Sequence, residues 1–331
     1  MNHRPQGLII SKAVTGFLQF KAAEGLSVRT TDSYRRILEQ WLERQKDVEV
    51  SSITTQQLRD YLNYMRTDYV PKRITGNNNQ KLSSKSIRNI YVGLSAFFHW
   101  AAEEFQIPNP MKSLPAPKFT SPEVEPFTKE ELEALLKACD FCDEAGTDRR
   151  KKFAMRRATA RRDRAIILTL IDSGLRASEL CSLRIADLDQ KMVKITIRHG
   201  VNGGAKGGKA RFVYLGKTAR KAVWRYLAER EDGENSESPL FVGKSGYPLN
   251  RDSLRQVIHA IGEKASIQHA YPHRFRHSFA IQYLRSGGDI FTLKDLLGHN
   301  SLEMVQHYAR IADVDVQEAH RKASPADNWR L

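Results

Sequence analysis

Three cysteines in 331 residues are too few, and too odd in number, to suggest a disulfide framework. Cys139 and Cys142 form a C-x-x-C pair. No second pair and no His pair follows at zinc-ribbon spacing, and one pair supplies only half of a structural zinc site. Cys139 also falls on the apolar stripe of an expected helix, so the thiols read as buried. No stretch approaches the ~20 apolar residues that span a bilayer. Met1 to Ser11 lacks the apolar run of a secretory signal. The expectation is a soluble cytoplasmic protein that engages no membrane. There is no phosphate-cradling G-x-x-x-x-G-K-[ST], and the acids are scattered, not clustered as a metal-dependent nuclease would need. His273 and His277 are four apart, but no carboxylate lies between them as in H-E-x-x-H.

What is abundant is positive charge. Lys and Arg number 53 against 38 Asp and Glu, a net +15. A basic surface attracts polyanions, of which nucleic acid is the commonest large one. Nine of these cations fall between Arg149 and Arg164 against one acid, Asp163. That segment reads either as a solvated insertion or as an arm contacting phosphates.

The spacing of apolar residues predicts an all-α N-terminal domain over residues 8–106. A first helix, Ser11 to Glu24, uses Val14, Phe17 and Leu18. Ser27 caps a second with Tyr34, Ile37, Leu38, Trp41 and Leu42. Thr54 and Gln57 have capping-box spacing before Leu58, Tyr61, Leu62 and Met65. Ser84 or Ser86 opens a fourth with Ile87, Ile90, Leu94, Phe97 and Phe98. Four amphipathic helices make a compact bundle. Residues 107–126 contain six prolines and read as a linker.

Residues 127–322 are expected to form a mixed α+β, mainly helical domain with a small antiparallel sheet, followed by a tail over 323–331. Thr128 and Glu131 form a capping box. Val193 to Ile197 and Arg211 to Leu215 read as strands joined by the Gly-rich turn around Lys206, with Leu240 to Val242 as a short third strand. Helices are expected at about Arg162 to Ser173, Thr218 to Glu229, Asn250 to Ala265, Pro272 to Arg285, and after Phe291 and Asn300.

Chemistry-bearing side chains sit at the edges of these elements. Arg176 follows Ser173-Gly174-Leu175, where an apolar helix ends, and Glu179 comes three residues later. Lys206 is held in the Gly-rich turn. His273 and Arg276 are three apart in Pro272-His273-Arg274-Phe275-Arg276-His277, so on a helix they share a face. Gly298 ends a helix in Leu296-Leu297-Gly298-His299, and Tyr308 comes nine residues later. Each alone has an ordinary explanation. Together, in this order and over roughly Thr128 to Arg310, they resemble the catalytic domain of the tyrosine recombinase family, the phage integrases and Xer-type recombinases. The helical N-terminal domain is similar to that family's core-binding domain. Two departures are the basic stretch of residues 149–164, which looks inserted, and Tyr214 where proline is common in the hairpin motif.

The resemblance implies site-specific DNA recombination through a 3′-phosphotyrosine intermediate, serving integration, excision or resolution of DNA elements. Tyr308 is then the nucleophile. Arg176 and Arg276 clamp the non-bridging oxygens of the phosphate with fixed, forked donors. His299 adds a hydrogen bond to one of them. Lys206 protonates the leaving 5′ oxygen, and His273 accepts the phenolic proton. Glu179 supports an arginine and takes no part in acid–base chemistry. These cations do the electrostatic work often given to magnesium, so no metal or cofactor is called for. The expected partner is double-stranded DNA carrying recombination sites, with two protomers per site and a homotetramer joining two sites. The segment Ile311 to Ala323, with Val314 and Val316, is expected to dock on a neighbouring protomer. A type IB topoisomerase, a DNA-binding protein without catalysis and a metal-dependent nuclease or transposase are the competing readings.

Overall fold

The structure, a computed structural model, describes residues 7–71, 80–119, 124–140, 145–147, 150–153, 157–198, 210–243, 245–299, 301–312, 324 and 326, with only the backbone described at 145–147, 150–153 and 311. Lys206, Cys142, Arg149, Arg156, Val314, Val316 and Trp329 lie outside the described residues. The chain divides into two compact units, residues 1–123 and 124–331.

In the first unit, α1 (Ile10–Ala23), α2 (Val28–Leu42), α3 (Thr55–Thr67) and α4 (Ser84–Phe105) bury one apolar stripe each. Phe17, Leu38, Trp41, Leu58, Phe97 and Phe98 meet in the centre, with edge-on ring contacts between Trp41 and Phe98 and between Phe17 and Phe97. The caps sit where side-chain chemistry puts them. Ser27 accepts from the Thr30 N–H, and Thr54 and Gln57 close a reciprocal capping box. The cap of α4 is Ser83, one residue before the predicted opening. The first half of the proline-rich stretch is tied to this bundle. Met111 and Leu114 are buried in its core, and the Pro110, Leu114 and Pro117 carbonyls accept from Thr55, Tyr91 and Arg88.

The second unit opens with α5 (Lys129–Asp140), boxed by Thr128 and Glu131 as the spacing predicts. A short antiparallel ribbon follows, β1 (Ala145–Thr147) with β2 (Arg150–Phe153), which the sequence pattern did not reveal. Then come α6 (Ala160–Ser173), α7 (Ala177–Ser182), the antiparallel pair β3 (Lys194–Ile197) and β4 (Arg211–Tyr214), α8 (Lys217–Leu227), α9 (Arg251–Lys264), α10 (Pro272–Arg285), α11 (Ile290–Leu297) and α12 (Glu303–Ala312). The fold is a helical bundle followed by a mainly helical α+β unit with small antiparallel sheets. Helix α6 is apolar on nearly every side, from Ala165 through Leu170, and so becomes the buried centre, packed on α5, α8 and α10. Ile195 and Ile197 alternate inward in β3, with Ile195 opposite Val213 of β4. A separate apolar cluster joins α10, α11 and α12 through Ile281, Leu284, Leu293, Leu297, Val305 and Tyr308.

Two expectations need correction. Leu240 to Val242 is no strand: Val242 makes only an isolated bridge to Pro248, because Leu240 and Phe241 turn into the core, Phe241 stacked on Tyr226 of α8, without a partner of strand length among the described residues. The basic stretch is also not a free arm in its second half. Arg162 is buried and forks onto Asp163, Arg157 pairs with the same carboxylate at 3.1 Å, and Arg161 and Arg164 pair with Glu229 and Asp140. The lone acid of that segment is therefore a buried counter-charge that folds the N-terminal turn of α6. Burial pushes the thiols of Cys139 and Cys181 up to about 12. Among the described residues, no helix is long and apolar enough to cross a membrane.

Candidate active site

The site is organised around the C-terminus of α11. A helix end leaves its last carbonyls without intrahelical partners, and these carry the negative end of the helix dipole. Here three consecutive carbonyls are each taken by an arginine from a different element. Arg211, at the start of β4, donates Nε–H to Leu296 O at 2.9 Å. Arg276, on α10, donates to Leu297 O at 2.7 Å. Arg176, just before α7, donates to Gly298 O at 3.1 Å. Gly298 stops the helix in the left-handed conformation, φ +62, and its missing side chain leaves room for the Arg211 side chain, whose Cδ a Cβ would approach to 3.0 Å. This is the physical content of Leu-Leu-Gly-His.

A second glycine does the matching work at the end of α6. Gly174 has φ +61, and a Cβ there would lie 2.3 Å from Phe279 of α10. Its carbonyl accepts from Arg276 Nη1 at 2.8 Å, so the turn that presents Arg176 is also a wall of the Arg276 site. Glu179, wholly buried, holds the arrangement together. It accepts from the Arg176 backbone N–H and from Arg176 Nη1, both at 2.8 Å, and from Arg211 Nη1 and Nη2 at 2.9 and 2.7 Å. Burial alone would push its carboxyl upward. The hydrogen bonds and charge of Arg211, with those of Arg176, outweigh burial and hold it below the ordinary carboxylate value.

Among the described residues, three guanidinium groups against one carboxylate leave two positive charges uncompensated. Arg276 feels this most. It is 1% exposed, and burial followed by the nearby Arg176 charge pulls it down to about 9, still protonated at neutral pH. His299 lies 2.8 Å from Arg276 Nη2 through Nε2. A guanidinium can only donate, so Nε2 is the bare nitrogen and Nδ1 carries the proton. That Nδ1 is shielded from solvent and has no hydrogen-bond partner among the described residues. Burial, then the charges of Arg276 and Arg176, push His299 down to about 4, which keeps it neutral. A cationic cluster with an unmatched buried donor is suited to an anion with several acceptor oxygens, such as a phosphodiester.

Tyr308 stands on α12 beside this cluster, 4% exposed, its ring roughly parallel to His299 with centroids 6.3 Å apart. Burial raises its phenol above the ordinary value, while Arg276 and Arg176 act to lower it. His273 sits exposed in the first turn of α10. A cleft of about 290 Å³ at that helix end is lined by Arg176, Arg251, Arg255, Tyr271 and His273. Of the residues singled out from the sequence, Arg176, Glu179, Arg276, His299 and Tyr308 come together, His273 is at the rim, and Lys206 lies outside the described residues between β3 and β4.

Residues 125–314 match the model of the phage integrase family. The chain belongs to that family. A tyrosine recombinase XerC from Oceanobacillus iheyensis is 30% identical over 256 residues, 75% of this chain and 77% of that protein. Another, from Staphylococcus saprophyticus, is 28% identical over 309 residues, 92% and 94% of the two chains. The Tn1549 transposon integrase bound to transposon right end DNA shares the fold at a TM-score of 0.69 and 19% identity, covering 91% of this chain and 94% of that one. A lambda integrase dimer bound to a core site does so at 0.69 and 16%, covering 91% and 95%.

Sequence reasoning missed two residues of this integrase-family site. Arg211 was visible only as part of the hairpin motif. Its partners Glu179 and Leu296 are 32 and 85 residues away, so nothing local announced its role. His277 was weighed only as a metal ligand with His273, yet its ring is edge-on to Tyr308, 5.2 Å between centroids.

Proposed function

We propose that this integrase-family chain is a site-specific DNA recombinase in which Tyr308 attacks a DNA phosphate. The Tyr308 oxygen bonds to phosphorus, the bond from phosphorus to the 5′ oxygen breaks, and the protein stays joined to the 3′ phosphate. The phosphoester is conserved, so a 5′ hydroxyl can attack it and reseal the strand without ATP. Charge builds on the non-bridging oxygens in the transition state. Donors already fixed in place stabilise that charge without reorganising when it forms.

Arg176 and Arg276 are the donors in this reading. Their anchoring on the α11 carbonyls and Glu179 holds them in place before DNA arrives. The Nδ1–H of His299, without a partner among the described residues, supplies a third. Lys206 is assigned the proton for the leaving 5′ oxygen, and His273 receives the proton lost by Tyr308. Arg251 and Arg255 on the adjoining cleft extend the cationic surface along the DNA backbone. Exchange between two duplexes calls for two protomers on each site and a tetramer in the synapse.

The arginines gathered on one helix end beside a buried tyrosine carry this reading. A topoisomerase would use similar chemistry without paired sites, so the deciding assay offers both outcomes. A supercoiled plasmid carrying two copies of a duplex selected by this protein from a randomised pool is incubated with protein in EDTA. Recombinant circles are expected. Relaxed topoisomers with no recombinant product would replace the recombinase reading with the topoisomerase one.

A further inference from the structure

Helix α10 carries two histidines one turn apart, and the ring of the second touches both the first and the nucleophile. His277 lies edge-on to His273 with centroids 4.5 Å apart, and edge-on to Tyr308 at 5.2 Å. His273 is exposed and Tyr308 is buried, so the His277 ring lies between a buried tyrosine ring and an imidazole at the surface. Its Nδ1 is shielded from solvent and has no hydrogen-bond partner among the described residues. A position that only needed filling would be served better by an apolar ring, because a polar atom buried without a partner is costly.

The groups around His277 decide its charge. His273 and Arg276 face it from its own helix, and His307 and Tyr308 from α12. Burial, then His273, His307 and Arg276, push it down to about 4. At neutral pH it is therefore a neutral imidazole with one bare nitrogen and one N–H. A phenol must lose its proton to attack, and the burial of Tyr308 makes that loss harder.

We propose that His277 is a proton relay between Tyr308 and His273. On the DNA complex, where catalytic hydrogen bonds tighten, Nδ1 gains the partner it lacks among the described residues of the free protein; as the Tyr308 oxygen bonds to phosphorus, its proton passes to the bare nitrogen of His277. The other nitrogen of the same ring releases its proton to His273 and from there to water. His277 ends neutral in its other tautomer, and religation runs the transfer backwards. The leaving 5′ oxygen takes its separate proton from Lys206. The relay rests on the reading of Tyr308 as the nucleophile.

The test is single-turnover adduct formation on a nicked duplex of the selected sequence. His277→Phe keeps a flat ring and removes both nitrogens. It should slow adduct formation by about 10²–10⁴-fold, the usual reach of acid–base catalysis, with DNA affinity unchanged. His277→Gln, which keeps a polar side chain but cannot change tautomer, should show the same loss if the Phe variant folds poorly. Each is then repeated with 3,5-difluorotyrosine at position 308, whose more acidic phenol needs less help. The defect should shrink tenfold or more. Equal defects with tyrosine and difluorotyrosine would make His277 a packing residue, and wild-type rates in either variant would remove it from the reaction. If wild-type protein forms no adduct, or forms one through another residue, the reading of Tyr308 fails first; a normal Tyr308 adduct with fully active His277 variants overturns the relay alone.

Discussion

Glu179→Gln removes one charge from the arginine cluster without changing its shape. The carboxylate is wholly buried and accepts from Arg176 and Arg211 through both oxygens. The amide keeps one acceptor oxygen and turns N–H donors toward a guanidinium, so donors of Arg176 or Arg211 lose their partner. Removing one member of a buried ion pair costs about 3–5 kcal/mol. For a unit of roughly 200 residues each kcal/mol moves melting by about 2–4 °C, so the expected fall at pH 7 is about 6–20 °C. The pH dependence has a definite sign. The folded carboxyl is held below its ordinary value of 4.5, so its contribution is complete above that pH and is lost as pH falls through the depressed folded value. Scanning calorimetry of both proteins should therefore show a constant gap from pH 8 to about 5 that narrows in stronger acid. A gap under 2 °C at pH 7, or one that does not change in acid, would refute the role given to Glu179.

Arg276→Lys should cut single-turnover cleavage by about 10²–10³, because the three donors of an ammonium, even if spent on Gly174 O, Leu297 O and His299, leave none for phosphate where the five-donor guanidinium fork does; a near-wild-type rate would sink the clamp. Gly174→Ala should cost at least about 1–3 kcal/mol in a denaturation experiment, from left-handed backbone strain and the clash with Phe279. Arg162→Ala should lower the melting temperature and leave the salt dependence of DNA affinity unchanged, since Arg162 serves Asp163 and the Val242 carbonyl; a slope flatter by about one unit would make it a phosphate contact. Lys206→Ala should cleave slowly on ordinary DNA and recover on a 5′-bridging phosphorothiolate, whose sulfur leaves without a proton. Equal defects on both substrates would make Lys206 a phosphate contact.

The elements that were legible from sequence are those set by local chemistry. Ser27, Thr54 with Gln57, and Thr128 with Glu131 cap helices through bonds that span three residues, and Gly174 and Gly298 stop helices by a conformation other residues adopt at a cost. The site order from Arg176 to Tyr308 was legible for a different reason: four spaced motifs together are specific where each alone is not. What was hidden depends on distant partners. The buried fork of Arg162 on Asp163 looks in sequence like more of a basic run, and only the packing of α6 distinguishes it. Arg211 needed β4 to lie beneath the end of α11, and His277 needed α12 to bring Tyr308 against α10. Leu240 to Val242 has a strand's apolar character but, among the described residues, no strand to pair with.

The central claim is that the Tyr308 oxygen becomes covalently joined to DNA. The direct measurement is mass spectrometry of the protein after reaction with a nicked duplex of the selected sequence, followed by nuclease digestion. Wild-type protein should carry a nucleotide 3′-phosphate on the peptide containing Tyr308. Tyr308→Phe, which loses only the phenolic oxygen, should bind the duplex as well and carry none. A 3′-phosphoryl adduct on any other residue, or an adduct that persists in the Phe variant, would contradict the account.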